Sequence, residues 1–189
     1  MELILASNSP RRKELLQNAG FNFVVKASDY EEKSFSSNPE LVATTFAEGK
    51  AESVFNKLVD KDRAVVLGAD TVVYLDGKIY GKAQSKEQAK SMIKSLSGKA
   101  HSVVTGYCII TSNKKIVGKV KSKVIFNDLS ETLIDDYVNS GLYVGKAGSY
   151  GIQDDFPLVK KCIGSINNVI GLPTEEIVPK LTEILTKNS

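Results

Sequence analysis

The feature that most constrains the fold of this chain is an unbroken apolar run, Ala64–Ala69, in the middle of the sequence. A strand with one solvated face alternates polar and apolar residues, whereas a run without polar residues is typical of a strand covered on both faces. Such strands occur in proteins whose helices pack on both sides of a sheet. The run therefore predicts a central strand of an α/β domain.

Helix and strand patterns both alternate and occur in blocks, which predicts a mixed sheet flanked by helices. Strands are predicted at Glu2–Ala6, Phe21–Ala27, Ala64–Ala69, Thr71–Leu75, Lys78–Tyr80, His101–Thr111 and Ile116–Asn127, with a closing hairpin of Phe156–Ile163 and Ser165–Ile170. Helices are predicted to begin near Pro10, Pro39, Ser85, Ser130 and Thr174. No repeat or composition break marks a linker, so residues 1–189 are expected to form a single domain, at most with two lobes.

Composition excludes several classes of function. The net charge of +3 does not call for a nucleic acid or membrane partner. The N-terminus lacks a signal sequence, and Cys108 and Cys162 do not have metal-ligand or disulfide-framework spacing. A reduced, cytoplasmic protein is therefore expected. His101 is the only histidine, so zinc sites with several histidines are excluded and a Ser-His-Asp triad is a minor alternative.

The turn after the first predicted strand is a candidate anion site. Ser9 is a good N-cap and Pro10 suits the first helical position, so free backbone N–H groups would point out of the turn. Arg11 and Arg12 lie in the first helical turn, where the helix dipole disfavours cations. A bound polyphosphate would reverse that penalty. The alternative is that the two arginines only solvate the helix end.

Three further residues have patterns that suggest chemistry. Lys50 falls inside the apolar stripe of its predicted helix, so it either extends outward into solvent or reaches into a cleft. Asp70 ends the apolar strand, and the carboxyl ends of strands are where ligands bind in α/β sheets. It would hold a metal or accept a proton from water, or else form an Asx turn or cap a helix. Lys82 follows the predicted Asp76-Gly77 hairpin and would fold back toward the same strand ends.

Two acidic pairs lie in predicted loops. Glu31-Glu32 belongs to the polar loop Ser28–Asn38, and Asp154-Asp155 follows a glycine-rich segment. Each pair is either a solvated loop or part of a metal site. Together with the cations, they suit triphosphate hydrolysis, in which Mg²⁺ or Mn²⁺ neutralises phosphate charge. The sequence contains no Walker A motif, which argues against a P-loop ATPase.

Six blocks of the sequence resemble the Maf family of nucleotide pyrophosphatases, in the family's order. The blocks are Leu5–Leu16, Gly68–Val73, Gly81-Lys82, Ser97–Gly106, Lys146–Gln153 and Asn168–Pro173. The resemblance implies an elongated α/β fold like that of the inosine-triphosphate pyrophosphatases, with a central cleft between two lobes. It also implies hydrolysis of a nucleoside triphosphate to the monophosphate and pyrophosphate, with Mg²⁺, Mn²⁺ or Co²⁺ as cofactor.

The resemblance also implies residue roles. Asp70 would be the general base, and Glu32 would assist the metal. Arg11, Lys50 and Lys82 would grip phosphates. Ser7 and Ser9 would line the phosphate loop.

By the same resemblance, Arg12, Thr71 and Gln153 match the specificity trio of the subgroup that hydrolyses dTTP and UTP. The 7-methyl-GTP subgroup usually has an aromatic residue in place of Arg12 and a glutamine in place of Thr71. A glutamine amide offers both a donor and an acceptor to a pyrimidine edge. The sequence therefore predicts dTTP and UTP as substrates, with modified pyrimidine nucleotides, 7-methyl-GTP or broad specificity as alternatives.

The chain departs from the family pattern at two positions. Ala83 stands where a proline is usual, and Gly145 where an aspartate is usual. The resemblance further implies a homodimer and leaves open a nucleotide-binding regulator of septum formation without catalysis. A nucleic-acid binder would need the lysine row Lys119, Lys121 and Lys123, which is better explained as a solvated strand face.

Overall fold

The computed structural model describes residues 1–33 and 36–187; positions 34 and 35 of the predicted Ser28–Asn38 loop lie outside the described residues. The strands are β1 (Glu2–Leu5), β2 (Val24–Val25), β3 (Ala64–Leu75), β4 (Lys78–Tyr80), β5 (Ala100–Ile110), β6 (Lys115–Phe126) and β7 (Val159–Ile163). The helices are α1 (Pro10–Asn18), α2 (Pro39–Asn56), α3 (Lys86–Leu96), α4 (Glu131–Asn139), α5 (Ile166–Ile170) and α6 (Thr174–Lys187).

The strands form one mixed sheet in the order β2-β1-β3-β5-β6-β7, with β4 paired to β3. β1 is parallel to β2 and β3, and the other pairs are antiparallel. This confirms the predicted α/β class with a mixed sheet. The division of residues 1–189 into two lobes stays a prediction. Among the described residues, no helix combines the length and apolar character needed to cross a membrane.

β3 has two short neighbours on the edge opposite β5. β1 pairs with Ala64–Leu67, and β4 pairs with Val73–Leu75. Within the described chain, the segment 68–72 between them has no partner strand on that edge. Both short strands end at this gap, because β1 runs parallel to β3 and β4 runs antiparallel to it. The loops that follow β1 and β4 therefore leave the sheet side by side.

Two glycines let α2 lie directly on the sheet. A Cβ at Gly68 would stand 2.4 Å from the Ala47 carbonyl oxygen, and a Cβ at Gly106 would stand 2.3 Å from that of Ala43. Neither distance is compatible with a side chain, so glycine is required for this close approach. The helix face in contact with the sheet includes three fully buried small residues, Ala43, Ala47 and Ala51.

The alternation of side chains along β3 divides its residues between two cores. Even-numbered residues such as Val66 face α2, and odd-numbered residues such as Leu67 pack with Leu172 and Ile177 on the opposite face. The apolar run is thus covered on both sides, as predicted. The same alternation sends Asp70 and Thr71 to opposite faces of the sheet.

Three secondary-structure predictions were wrong. Asp70 does not end its strand, because β3 continues through it to Leu75. The strand predicted at Phe21–Ala27 is paired only at Val24–Val25, because only Ile4 and Leu5 of β1 pair with it. The closing hairpin does not form: Ser165 accepts a hydrogen bond from the Asn168 backbone N–H at 2.9 Å and caps the short helix α5 instead.

The predicted helix starts are confirmed. The Ser9 side chain caps α1 by accepting from the Arg12 backbone N–H, with Pro10 as the first residue of the helix. Ser85 and Ser130 cap α3 and α4 in the same way. The hairpin at Asp76-Gly77 is also confirmed, with positive φ angles at both residues.

His101 lies in a cluster of aromatic side chains with Phe126 and Tyr150. Its Nε2 is 2.7 Å from the Tyr150 hydroxyl oxygen, and its ring contacts Phe126 edge-on. Its Nδ1 is buried and has no hydrogen-bond partner in the part of the chain that the structure describes. Burial lowers the pKa of His101 from 6.5 to about 4.

The stability of the protein is expected to fall between pH 6.5 and pH 4 because of His101. Its folded pKa is depressed, so the unfolded chain binds the proton first as the pH falls. The expected loss is about 2 kcal/mol at about pH 5. His101→Gln, which does not titrate, should lose about that much less between about pH 7 and pH 5 in urea unfolding. Equal pH dependence in the two proteins would contradict this role.

Candidate active site

A cavity of about 380 Å³ opens at the gap in the edge of β3. Its volume is in the range of small-ligand pockets. Its lining includes the ten residues to which the family resemblance assigns a role: Ser7, Ser9, Arg11, Arg12, Glu32, Lys50, Asp70, Thr71, Lys82 and Gln153. The other candidate acids, Glu31, Asp154 and Asp155, do not line it. The fold therefore brings together residues that are up to 146 positions apart in the chain, from Ser7 to Gln153.

On the α2 face of the sheet, Lys50 joins two carboxylates. Its Nζ lies 2.6 Å from Asp70 Oδ1 and 2.7 Å from Glu32 Oε1. The side chains of Lys50 and Asp70 are buried, whereas Glu32 is 38% exposed at the cavity mouth. Lys50 was predicted either to extend into solvent or to reach into a cleft, and in the structure it reaches into the cavity. Asp70 forms no turn and no helix cap.

The two carboxylates differ in their electrostatic surroundings. Burial raises the pKa of Asp70, and the positive charges of Lys50 and Arg12 oppose this only in part. Burial also acts to raise the pKa of Glu32, but the hydrogen bond from Lys50 and the charges of Lys50, Lys82 and Arg12 outweigh it and lower that pKa. Asp70 is thus the more basic of the two carboxylates.

The donor set of the cavity fits a divalent metal that arrives with its substrate. Among the described residues, no group of three or more His, Cys, Asp or Glu side chains is placed to hold an ion. Asp70 and Glu32 supply carboxylate oxygens around one point, Lys50 Nζ. Mg²⁺ is typically bound by one or two carboxylates together with water and substrate phosphates. Two carboxylates in a cavity that cationic side chains also line match that pattern.

On the opposite face, the Arg12 guanidinium is held by three hydrogen bonds. It donates from Nε to the Gly171 carbonyl oxygen at 2.8 Å and from Nη2 to Thr71 Oγ1 at 3.2 Å. A third bond joins Nη1 to Ser7 Oγ at 3.3 Å. Burial lowers the pKa of Arg12, but an arginine remains charged in proteins. Arg12 is therefore a fixed cation in the cavity wall.

Arg11 lies in the first turn of α1, and Lys82 lies in the loop after β4, so each follows a short strand that ends at the gap. Arg11 donates to the carbonyl oxygens of Gly145 at 3.1 Å and Ile170 at 3.4 Å. Lys82 forms an isolated bridge with Ala147, and its Nζ lies 3.9 Å from Glu32 Oε1. Lys82 thus folds back toward the sheet as predicted. Gln153 lies exposed at the edge of the cavity.

Lys146 is a fifth cation in the cavity lining, and the sequence did not predict a role for it. Both oxygens of Asp154 accept hydrogen bonds from Lys146 Nζ, and the Tyr137 hydroxyl donates to Asp154 Oδ2 at 2.6 Å. The Lys146 and Asp154 side chains are only 9% and 6% exposed. The sequence marked Asp154 as an ambiguous loop acid. Its partner lies eight residues away in a glycine-rich loop, a spacing that no periodic pattern reveals.

Asp154→Asn is expected to destabilise the protein by about 3 kcal/mol, because it leaves the buried Lys146 without a counter-charge. Asp155→Asn is the matched control, since Asp155 is the next residue and is exposed. The control should change stability by less than about 0.5 kcal/mol. Urea unfolding of both variants measures the difference. Equal stabilities would show that the ion pair contributes nothing.

Comparison with known proteins identifies relatives of similar length. The family model described as Maf-like protein matches residues 2–184. A dTTP/UTP pyrophosphatase of Thermotoga maritima is 44% identical over 92% of this chain and 84% of its own. Proteins of the same name from Pyrococcus abyssi and Clostridium tetani are 41% and 42% identical, over 93% and 97% of this chain and 92% and 98% of their own.

One solved structure also matches, a nucleoside-triphosphatase / dITP/XTP pyrophosphatase from Mycobacterium abscessus. It is 12% identical, with a TM-score of 0.41 over 99% of this chain and 98% of that chain. A likeness at this level does not by itself define a shared fold. The inosine-triphosphate-pyrophosphatase-like shape implied by the resemblance stays a prediction.

Proposed function

Because this chain belongs to the Maf family, whose model matches residues 2–184, we propose that it hydrolyses dTTP and UTP to the nucleoside monophosphate and pyrophosphate. The observation that carries the proposal is the cavity at the β3 gap. Five cationic side chains and two carboxylates line it, together with other residues of the buried strand β3. That composition suits a polyanion whose charge must be neutralised while one carboxylate remains free to act. The relatives named above support the choice of substrates.

Asp70 is the proposed general base. Its Oδ1 accepts from Lys50, and Oδ2 makes no hydrogen bond to a described residue, which leaves it to a water molecule. The water oxygen attacks the α-phosphorus as its proton moves to Asp70. The bond from the α-phosphorus to the bridging oxygen breaks, and pyrophosphate leaves with the electron pair. A raised pKa makes Asp70 a stronger base for this transfer.

The cations bind and orient the phosphates. Arg11 and Lys82 line the same cavity as Ser7 and Ser9, and the N-terminus of α1 contributes its dipole and backbone N–H groups. Lys50 holds Asp70 in position and adds positive charge on the same side. These groups stabilise the charge that develops on the leaving pyrophosphate.

A divalent cation, Mg²⁺, Mn²⁺ or Co²⁺, is the proposed cofactor, and Asp70 and Glu32 would hold it. When bound, it neutralises phosphate charge and polarises the scissile bond. Lys50 already lies between the two carboxylates and would have to share their oxygens with the ion.

Arg12, Thr71 and Gln153 are the proposed determinants of nucleotide choice. Arg12 and Thr71 are hydrogen-bonded to each other, and Gln153 stands exposed at the cavity edge. The rival substrate is 7-methyl-GTP, or a broad range of nucleotides. We also infer a cytoplasmic location, because the two cysteines do not have disulfide-framework spacing, and a homodimer from the family resemblance alone.

The decisive experiment is a nucleotide panel with product identification under Mg²⁺, Mn²⁺ and Co²⁺. We expect pyrophosphate release, with kcat/KM higher for dTTP and UTP than for 7-methyl-GTP. A preference for 7-methyl-GTP would overturn the assignment of the trio. Nucleotide binding without pyrophosphate release under any of the three metals would favour the non-catalytic regulator of septum formation.

A further inference from the structure

A chain of hydrogen bonds runs from Arg12 into the middle of the sheet. Arg12 Nη2 bonds to Thr71 Oγ1, and Thr71 Oγ1 lies 2.9 Å from Thr105 Oγ1 on β5. Thr105 Oγ1 lies 2.8 Å from the backbone carbonyl oxygen of Asn168. Thr105 and Asn168 are fully buried, and neither lines the cavity. Neither has a part in the chemistry proposed above.

The direction of each bond in this chain is determined. A carbonyl oxygen only accepts, so the single hydroxyl proton of Thr105 must go to Asn168. Thr105 Oγ1 is then an acceptor toward Thr71, and Thr71 must donate its own proton there. Thr71 Oγ1 in turn accepts from Arg12, which has only donors. The Thr71 hydroxyl proton is therefore not available to a substrate.

Asn168 anchors the inner end of the chain. Its Oδ1 accepts from the Thr105 backbone N–H at 3.0 Å, and its Nδ2 donates to the Val103 carbonyl oxygen and to Ser122 Oγ at 3.1 and 2.9 Å. Both ends of the amide are satisfied, so its orientation is fixed. The backbone carbonyl oxygen that accepts from Thr105 also belongs to Asn168. The inner end of the hydrogen-bond chain is therefore fixed in position.

The outer end of the chain is the Arg12 guanidinium. Three of its five N–H groups are used by Gly171, Thr71 and Ser7, and two have no partner among the described residues. Arg12 and Thr71 together thus present N–H donors to the cavity and no hydroxyl proton. The group that they select must be an acceptor, either a carbonyl oxygen of a pyrimidine or a phosphate oxygen.

We propose that Thr105 is a positioning residue for nucleotide recognition, which orients the Thr71 hydroxyl so that it accepts from Arg12 and holds the guanidinium in its binding orientation. This inference rests on the proposed function. It assigns a role to a residue two hydrogen bonds away from Arg12. It also assigns to Thr71 an indirect role through Arg12 in place of direct donation to the nucleotide.

The test is a double-mutant cycle between Thr105 and Arg12. Thr105→Val removes the Thr105 hydroxyl, and we expect KM for UTP to rise about tenfold, the size of one lost hydrogen bond, with kcat within about twofold. Thr105→Ser restores the hydroxyl and should restore KM. In an Arg12→Ala background, Thr105→Val should have no further effect. Additive losses would overturn the proposal, as would an unchanged KM in Thr105→Val.

A control variant separates an effect on nucleotide binding from a general loss of stability, and a second nucleotide identifies the group that Arg12 binds. Thr111→Val removes another buried hydroxyl directly after β5, and it should lower stability without changing KM. Thr105→Cys, which keeps the volume and weakens the donor, serves if the valine variant does not fold. A changed ratio of kcat/KM for UTP and CTP assigns the acceptor to O4 of the base, and equal losses assign it to O2, which both bases share, or to the phosphates. An inactive wild-type protein would instead refute the proposed function.

Discussion

Asp70→Asn is expected to lower kcat about a thousandfold, the scale of a lost general base, while the protein stays folded. Asparagine has the same shape and can still accept a hydrogen bond from Lys50, but it cannot take a proton from water. Stability should not fall, because Glu32 still pairs with Lys50 and because burial already disfavours the charged Asp70 carboxylate, as its raised pKa indicates. Steady-state kinetics with dTTP and urea unfolding measure the two quantities separately.

The matched control is Asp76→Asn in the turn that follows the same strand. Asp76 is exposed and has a φ of 49°, a conformation that asparagine also accepts. Its kcat should equal that of the wild-type protein. Near-normal turnover in Asp70→Asn would remove Asp70 from the proposed role and leave Glu32 as the remaining carboxylate of the cavity.

Gly68→Ala is expected to destabilise the protein by about 3 kcal/mol and also to lower its activity. The added Cβ would lie 2.4 Å from the Ala47 carbonyl oxygen and 2.8 Å from the Ala51 backbone nitrogen, so α2 would have to move away from the sheet. Lys50 is on that helix and would be displaced from Asp70. A displacement of about 1 Å at a catalytic group is enough to lower turnover about a hundredfold.

Gly81→Ala is the control for the steric argument. A Cβ at Gly81 meets nothing within 4 Å, and its φ is not in the left-handed region. Its midpoint in urea should lie close to that of the wild-type protein. If Gly68→Ala unfolds at the same urea concentration as Gly81→Ala, the close approach of α2 does not stabilise the fold.

Local sequence signals predicted most of the secondary structure because their causes are local. Serine caps, Pro10 and the Asp76-Gly77 turn act over a few residues, and the structure has each of them where the sequence puts it. The predictions that failed depend on distant partners. The length of β2 is limited by β1, and the segment predicted as the last strand contains the helix α5, whose Asn168 is buried against β5 and β6.

Gly68 and Gly106 are glycines within strand patterns that could have predicted the close approach of α2 to the sheet. A glycine within a strand pattern often marks a close approach of another backbone, and here both glycines lie under α2. Lys146 and Asp154 gave no comparable signal, because an ion pair across an irregular loop has no period. Their pairing depends on the path of the loop and on Tyr137 from α4.

The sequence by itself determined the α/β class, the capped turn at Ser9 and the identity of the charged residues, because side-chain chemistry and capping are properties of short segments. Only the tertiary structure decided how those residues meet. Asp70 was predicted at the end of a strand and lies instead within one, beside a gap that exists because β1 and β4 are both shorter than β3. Strand alternation then separates Asp70 from Thr71, which puts the carboxylates on one side of the cavity wall and Arg12 on the other.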